Sequence, residues 1–332
     1  MDIFKTQKTF MLFGLNANQR SVKGAYLFIG AYLFATLFAA ILTPPVYWLF
    51  EYLHSVYPDN ATIAHWIKTK GVNVFFDRLR WLPIIIALPF LFKACGLYSA
   101  REAGLLISKK TLRIFLKYFV FGILLAGLIF TLQVVFTDVE IKDISTSKAI
   151  KGISFAFLGA IVVGFLEEII FRSLIMRSFY SAWGAKVAIL LSSLFFAYKH
   201  FKVPNTIFQG IAEGVHTAHW YTGFQIAYYD SVGIFMTFDF LKLTSLFLFG
   251  VLLCVAYIRT RSLYSSIALH AGIVWTMLSY KKIIEVLPDN LRNFFGSSGM
   301  TDSYLSIILI FLLIIIFTFR KEKASNQLTK QD

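Results

Sequence analysis

The chain is poor in charged residues and in cysteine. Only 15% of its 332 residues are Asp, Glu, Lys or Arg, and two are cysteines. Soluble domains carry about 25% charged residues, so an ordinary soluble enzyme is excluded, and two cysteines are too few for a disulfide-rich secreted scaffold. Because Cys95 and Cys254 both lie in apolar stretches, they are interpreted as buried hydrophobic residues rather than as a disulfide or a metal pair.

Apolar residues are abundant instead and occur in long blocks. They make up 58% of the chain, with 36 phenylalanines, and about 20 consecutive apolar residues suffice to cross a bilayer as a helix. The sequence therefore predicts an all-α integral membrane protein, a polytopic transmembrane helix bundle in contact with lipid. About eight spans are expected, at approximately 25–50, 80–97, 113–136, 153–176, 185–201, 240–258, 262–280 and 303–319.

The chain has a net charge of +14. In a soluble protein this charge would suggest a nucleic acid partner. Here the basic residues concentrate in alternate connections and at both ends of the chain, as expected when short basic loops stay on the cytoplasmic side. We therefore predict cytoplasmic termini and no nucleic acid partner.

The organisation along the chain follows from these blocks. Residues 1–332 are predicted to form a single membrane domain, and residues 150–280 are its motif-bearing core. Residues 202–239 are interpreted as a loop or re-entrant insertion, in which Asp230 is a solvated residue flanking a span. Residues 321–332 form a polar tail.

Three ionisable residues lie close together inside the fourth predicted span. A charge at the centre of a bilayer costs at least ~2.5 kcal/mol, so its presence suggests a function. Glu168 and Arg172 are four residues apart and share a helix face, where they can form a structural ion pair. Glu167 points about 100° away and has no basic residue three or four positions further on. It is therefore our candidate for a general base.

Two histidines lie in later spans, His200 in the fifth and His270 in the seventh. At ~1.5 Å per residue, Glu167 and both histidines fall within the ~30 Å hydrocarbon layer, at depths that allow them to meet in one cavity. Glu167 with His200 can hold and deprotonate a water molecule, while His270 stabilises the oxyanion formed at a carbonyl. Alternatively, Glu167, His200 and His270 bind a divalent metal such as zinc, for which two histidines and a glutamate are a known catalytic set. The sequence leaves both alternatives open.

The pattern Glu-Glu-x-x-x-Arg at 167–172, the pattern Phe-x-x-x-His at 196–200 and the region around His270 together resemble a known family. This family is the CAAX prenyl protease type II group, within the CAAX protease and bacteriocin-processing (CPBP) proteins. The resemblance implies an eight-helix intramembrane endopeptidase, with the first glutamate and both histidines catalytic and the second glutamate paired with the arginine. The expected substrate is a membrane-associated peptide or a lipidated protein, and the expected location is the bacterial inner membrane.

The chain departs from the family pattern at one position. The family has an asparagine where this chain has Val274, which cannot donate a hydrogen bond to an oxyanion. Ser266 and the Trp275 indole are candidate substitutes. Two other hypotheses therefore stay open: an inactive member acting in binding, bacteriocin immunity or scaffolding, and a transporter or proton relay. No internal repeat supports the latter.

Overall fold

The computed structural model describes residues 20–94, 97–201, 205–212, 217–288 and 290–319. The predicted polar tail at 321–332 lies outside these residues. Helices dominate the described chain, and one pair of three-residue strands is antiparallel. In chain order the elements are α1 (Arg20–Val56), α2 (Ala61–Ala94), α3 (Lys109–Phe136), β1 (Val139–Ile141), α4 (Thr146–Glu168), a π-helical segment (Ile169–Met176), α5 (Arg177–Tyr198), a 3-10 turn (Asn205–Phe208), α6 (Gln209–Ala212), α7 (Thr222–Met236), α8 (Phe240–Thr260), α9 (Leu263–Ile283), β2 (Ile284–Val286), α10 (Arg292–Phe295) and α11 (Tyr304–Phe319).

The described helices form an all-α bundle of the membrane type. Four stretches are long and apolar enough to cross a membrane: Tyr26–Val56, Lys109–Phe136, Thr146–Tyr180 and Phe240–Thr260. Shorter apolar helices cover Trp183–Tyr198 and Tyr304–Thr318. Many of their large apolar side chains are exposed, as expected for surfaces that face lipid rather than water.

The chain divides into two compact units. The large unit comprises the described residues within 98–197 and 239–319, and the small unit comprises those within 20–97 and 198–238. In the large unit α9 is the central helix, with ten of its first eleven residues buried. A helix buried on all sides needs apolar or hydrogen-bonded residues all round, which the first half of α9 has.

Small residues bring α9 close to its neighbours in the large unit. A Cβ atom at Gly122 of α3 would lie 2.6 Å from the Leu269 carbonyl oxygen, and one at Gly164 of α4 would lie 3.3 Å from that of Ile267. Helices in membranes pack closely where such residues let the backbones approach. This close packing fixes α9, and with it His270, between α3 and α4.

In the small unit α1 and α2 pack against each other around an aromatic core that includes Tyr47, Phe75 and Phe76. The predicted insertion 202–239 contains a regular helix, α7. Gly223 of α7 lies directly against the Ala40 carbonyl of α1 and leaves no room for a Cβ atom. Part of the predicted insertion is thus a helix packed against α1.

Candidate active site

The two adjacent glutamates stand where helix α4 changes geometry. α4 ends at Glu168 and continues directly as the π-helical segment Ile169–Met176, all of whose residues are buried. A π-helical turn is wider than an α-helical turn and is frequent at functional sites. The sequence analysis placed Glu167, Glu168 and Arg172 by regular α-helical spacing, and nothing in the sequence indicated this widened turn.

Glu168 is the centre of a buried polar cluster in the large unit. Its Oε1 lies 2.8 Å from Arg172 Nη1 and 2.9 Å from His270 Nδ1, and its side chain is fully buried. Arg172 also donates from Nη2 to the Gly250 carbonyl at 3.2 Å. Glu168 therefore connects α4 to α9 directly and to α8 through Arg172. The sequence predicted the Glu168–Arg172 pair but not the contact between Glu168 and His270.

The two ring nitrogens of His270 have different partners. Because a carboxylate only accepts hydrogen bonds, the contact with Glu168 assigns a proton to Nδ1. The other nitrogen, Nε2, faces Glu167 Oε2 at 3.9 Å. The rings of Phe196 and Phe249 meet the imidazole edge-on, with centroids 6.1 and 5.2 Å away. The imidazole is thus fixed in orientation by a carboxylate on one side and by aromatic walls.

Glu167 differs from its neighbour in exposure. Its side chain is 21% exposed, whereas that of Glu168 is completely buried. The 3.9 Å between Glu167 Oε2 and His270 Nε2 is too long for a direct hydrogen bond. Two polar atoms at this separation can share contacts with one water molecule. The pair can therefore bind a small polar molecule between a carboxylate and an imidazole.

His200 belongs to the small unit and lies, half-buried, in the turn that follows α5. Its catalytic role stays a prediction. Phe196, four residues earlier, belongs to the large unit, where its ring packs against His270 and lies 4.9 Å from the Arg172 guanidinium carbon. Phe196 therefore helps to enclose the charged cluster around Glu168.

The candidate oxyanion donors have other partners in this structure. Ser266 Oγ donates to the Leu263 carbonyl at 3.0 Å, and Trp275 Nε1 donates to the Ile153 carbonyl at 3.2 Å. Val274 is half-buried in the same helix. The geometry therefore gives no support for Ser266 or Trp275 as substitutes for the missing asparagine.

Glu167 and His270 supply two of the donors that a catalytic zinc site requires. Zinc binds carboxylate oxygens and imidazole nitrogens at about 2.0–2.2 Å, so Glu167 Oε2 and His270 Nε2 are separated by a distance that one ion can span. Among the described residues, however, no group of three or more His, Cys, Asp or Glu side chains can hold a metal ion. Catalytic zinc sites use three protein ligands, so these residues do not fit one, and the metalloprotease hypothesis gains no support.

A second polar cluster lies in the small unit and was missed by the sequence analysis. Arg80, 4% exposed, donates from Nη1 to Asp230 Oδ2 at 2.5 Å and from Nη2 to Asp77 Oδ1 at 2.6 Å. Lys199 Nζ lies 3.2 Å from the same Asp230 oxygen and 2.5 Å from the Tyr32 hydroxyl. The interpretation of Asp230 as a solvated residue is therefore wrong. The position of Asp230 inside the apolar stretch of α7 was the feature of the sequence that could have indicated this cluster.

The sequence around the Glu168 cluster was compared with known protein families. Residues 149–276 match the Rce1-like family, described as type II CAAX prenyl endopeptidase. The match confirms the family resemblance. This Rce1-like region covers less than half of the chain but includes Glu167, Glu168, Arg172, His200 and His270. No curated protein and no solved structure matched the chain.

Proposed function

We infer that the chain is an intramembrane endopeptidase of the CAAX protease type, which activates water to hydrolyse a peptide bond of a membrane-associated substrate. The supporting observation is the arrangement of Glu167 Oε2 opposite His270 Nε2, with the imidazole oriented by Glu168, inside an Rce1-like region. A carboxylate and an oriented imidazole whose polar atoms face each other are the groups that water activation requires.

In the proposed reaction one water molecule lies between Glu167 and His270. Glu167 accepts a proton from the water while the water oxygen forms a bond to the carbonyl carbon of the substrate. The carbonyl oxygen becomes an oxyanion. It accepts a hydrogen bond from His270 Nε2 when the imidazole carries a proton on both nitrogens. When the carbon–nitrogen bond breaks, Glu167 returns the proton to the departing amine.

Glu168 and Arg172 act on this reaction through His270. Because Glu168 accepts from Nδ1, only Nε2 is directed at the reacting atoms, and Arg172 holds the carboxylate in place at 2.8 Å. We assign both as positioning residues. His200 is assigned the second contact to the water, as the sequence predicts.

The proposal includes a location and a topology. The chain forms a single membrane domain with about eight transmembrane helices and both termini in the cytoplasm, in a bacterial inner membrane. Its substrates are membrane-associated peptides or lipidated proteins, which reach the site from the bilayer.

The second candidate function is a non-catalytic family member that binds a partner, in bacteriocin immunity or as a scaffold. Val274 favours it, since the family asparagine is absent and neither Ser266 nor Trp275 has a spare donor directed at Glu167. Loss of one oxyanion donor lowers the rate of such a reaction by about 10²–10³. A peptidase slowed by this factor still cleaves its substrate at a measurable rate, so a cleavage assay separates the two candidate functions.

The test uses purified full-length protein in nanodiscs and internally quenched peptides ending in a farnesylated or an unmodified Cys-aliphatic-aliphatic-X sequence. Glu167→Gln is expected to lower kcat by about 10²–10⁴ because the general base is lost. Glu140→Gln, the same substitution on an exposed strand residue, serves as the matched control and should retain full activity. Unchanged turnover in Glu167→Gln contradicts the peptidase mechanism, and absence of cleavage by the wild-type chain favours the non-catalytic alternative.

A further inference from the structure

A cavity of about 280 Å³ lies in the large unit, and none of the residues that line it belongs to the Glu168 cluster. It is lined by residues of α3, α8 and α11, among them Lys117, Tyr118 and Arg259. Arg259 donates to the Phe317 carbonyl, and the Phe317 ring meets Tyr118 edge-on at 6.2 Å. The cavity thus places two cationic side chains beside an aromatic floor.

Both cations lie near helix ends. Lys117 is the ninth residue of α3, so it lies ~12 Å along a helix of ~42 Å. α3 is therefore longer than the ~30 Å hydrocarbon layer, and a lysine in its first third can extend its ammonium group to the headgroup region. Arg259 is the last residue but one of α8. These are the helix ends predicted to face the cytoplasm.

The rest of the wall is apolar and continues towards the membrane interior. Val120 and Leu124, one and two turns after Lys117, line the cavity and are 51% and 64% exposed. Phe121 lines it beside Phe317, with ring centroids 5.4 Å apart. An occupant of this cavity therefore meets positive charge at one end and an aliphatic surface at the other.

We propose that this cavity is a binding site for an anionic phospholipid. The lipid phosphate contacts Lys117 and Arg259, and an acyl chain lies along Val120 and Leu124. Basic pockets between transmembrane helices recognise anionic headgroups because charge attraction is strong near the low-dielectric bilayer. The apolar wall distinguishes a lipid from a free phosphate ion. The site does not depend on peptidase activity.

The test measures lipid binding to delipidated, full-length protein by native mass spectrometry. Palmitoyl-oleoyl phosphatidylglycerol is compared with the zwitterionic phosphatidylcholine of the same chains and with inorganic phosphate. Phosphatidylglycerol is expected to bind at least tenfold more tightly than phosphatidylcholine, and inorganic phosphate should not compete at millimolar concentration. Equal affinity for the two lipids, or full competition by phosphate, overturns the proposal.

Charge variants locate the site. Lys117→Gln should weaken phosphatidylglycerol binding about fivefold and Lys117→Gln/Arg259→Gln about 30-fold, at roughly 1 kcal/mol per basic residue. Lys109→Gln/Lys110→Gln removes two charges from the start of the same helix outside the cavity and should change binding less than twofold. An equal loss in this control indicates a diffuse surface charge and overturns the proposal.

A shape variant separates the acyl-chain contact from charge and from misfolding. Leu124→Trp keeps both cations but fills the groove, and should weaken phosphatidylglycerol binding without a change in melting temperature. If Leu124→Trp binds phosphatidylglycerol as tightly as the wild type does, no acyl chain lies in the groove and the proposal is overturned. A chain ending at residue 319 is a further control: if phosphatidylglycerol binds only after this truncation, the full-length chain does not hold a lipid in this cavity, and the proposal is overturned.

Discussion

Two neighbouring glutamates occupy different environments at the candidate active site. Glu168 is fully buried between Arg172 and His270, whereas Glu167 is partly exposed and faces the distal nitrogen of the same imidazole. Removal of one member of a buried ion pair leaves an uncompensated charge, which is strongly destabilising. The adjacent residues should therefore respond differently to the same substitution.

We expect Glu168→Gln to lower both stability and activity. The substitution leaves Arg172 buried without a counter-ion, at a cost of about 3–5 kcal/mol, and weakens the hydrogen bond that orients His270. Glu167→Gln should lower activity alone. Thermal unfolding in detergent and peptide cleavage measure the two effects.

The control for Glu168→Gln is the double variant Glu168→Gln/Arg172→Met, in which neither member of the Glu168–Arg172 pair is left buried without its partner. Since the two residues interact directly, their effects on stability should not add, and the double variant should be more stable than Glu168→Gln but equally slow. Recovery of activity in the double variant would show that Glu168 does not position His270.

At the scale of elements, close helix contacts hold the site together. α9 carries His270. It approaches α3 too closely at Gly122 for a side chain, and it approaches α4 tightly at Gly164, where a Cβ atom would lie 3.3 Å from the Ile267 carbonyl oxygen. The charged cluster of the small unit links α2 to α7 and to Lys199 in a comparable way. Small residues at close contacts and paired polar residues are both common between helices in membranes.

Gly122→Ala should destabilise the large unit. The added methyl group would meet the Leu269 carbonyl at 2.6 Å, and overpacking of this kind costs about 1–3 kcal/mol. Because Leu269 precedes His270, activity should fall as well. Gly127→Ala, in the same helix with nothing within 4 Å of its Cβ position, is the control and should be neutral or stabilising. Equal melting temperatures for the two variants would contradict the close-contact interpretation.

At the scale of the whole molecule, the chain consists of two compact units, and the Rce1-like region spans parts of both. Glu167 and His270 lie in the large unit, while His200 lies in the small unit. The large unit carries the described carboxylate–imidazole pair.

The predicted orientation places both termini in the cytoplasm. Green fluorescent protein fused after Asp332 should therefore fluoresce in a bacterial host, and alkaline phosphatase at the same position should be inactive. Alkaline phosphatase inserted at Asp59, in the turn between α1 and α2, should be active. The reverse pattern would place the basic loops outside, against the usual distribution of Lys and Arg.

The sequence by itself determined the helical membrane character, the motif residues and the family resemblance. Long apolar blocks leave a chain no alternative to helices that satisfy their own backbone hydrogen bonds in lipid. The spacing of Glu168 and Arg172 placed them within reach on one helix. These properties depend on neighbours along the chain, so they can be read from it.

Only the tertiary structure decided which groups meet across helices. The contact of Glu168 with His270 joins residues 102 positions apart, and that of Arg80 with Asp230 joins residues 150 apart. Both depend on helix rotation and on glycine contacts that no local pattern encodes. The π-helical turn after Glu168 is similarly unpredictable, because it adds a residue to one turn without a distinctive sequence. For this reason the sequence named the candidate catalytic residues, while the structure assigned their partners.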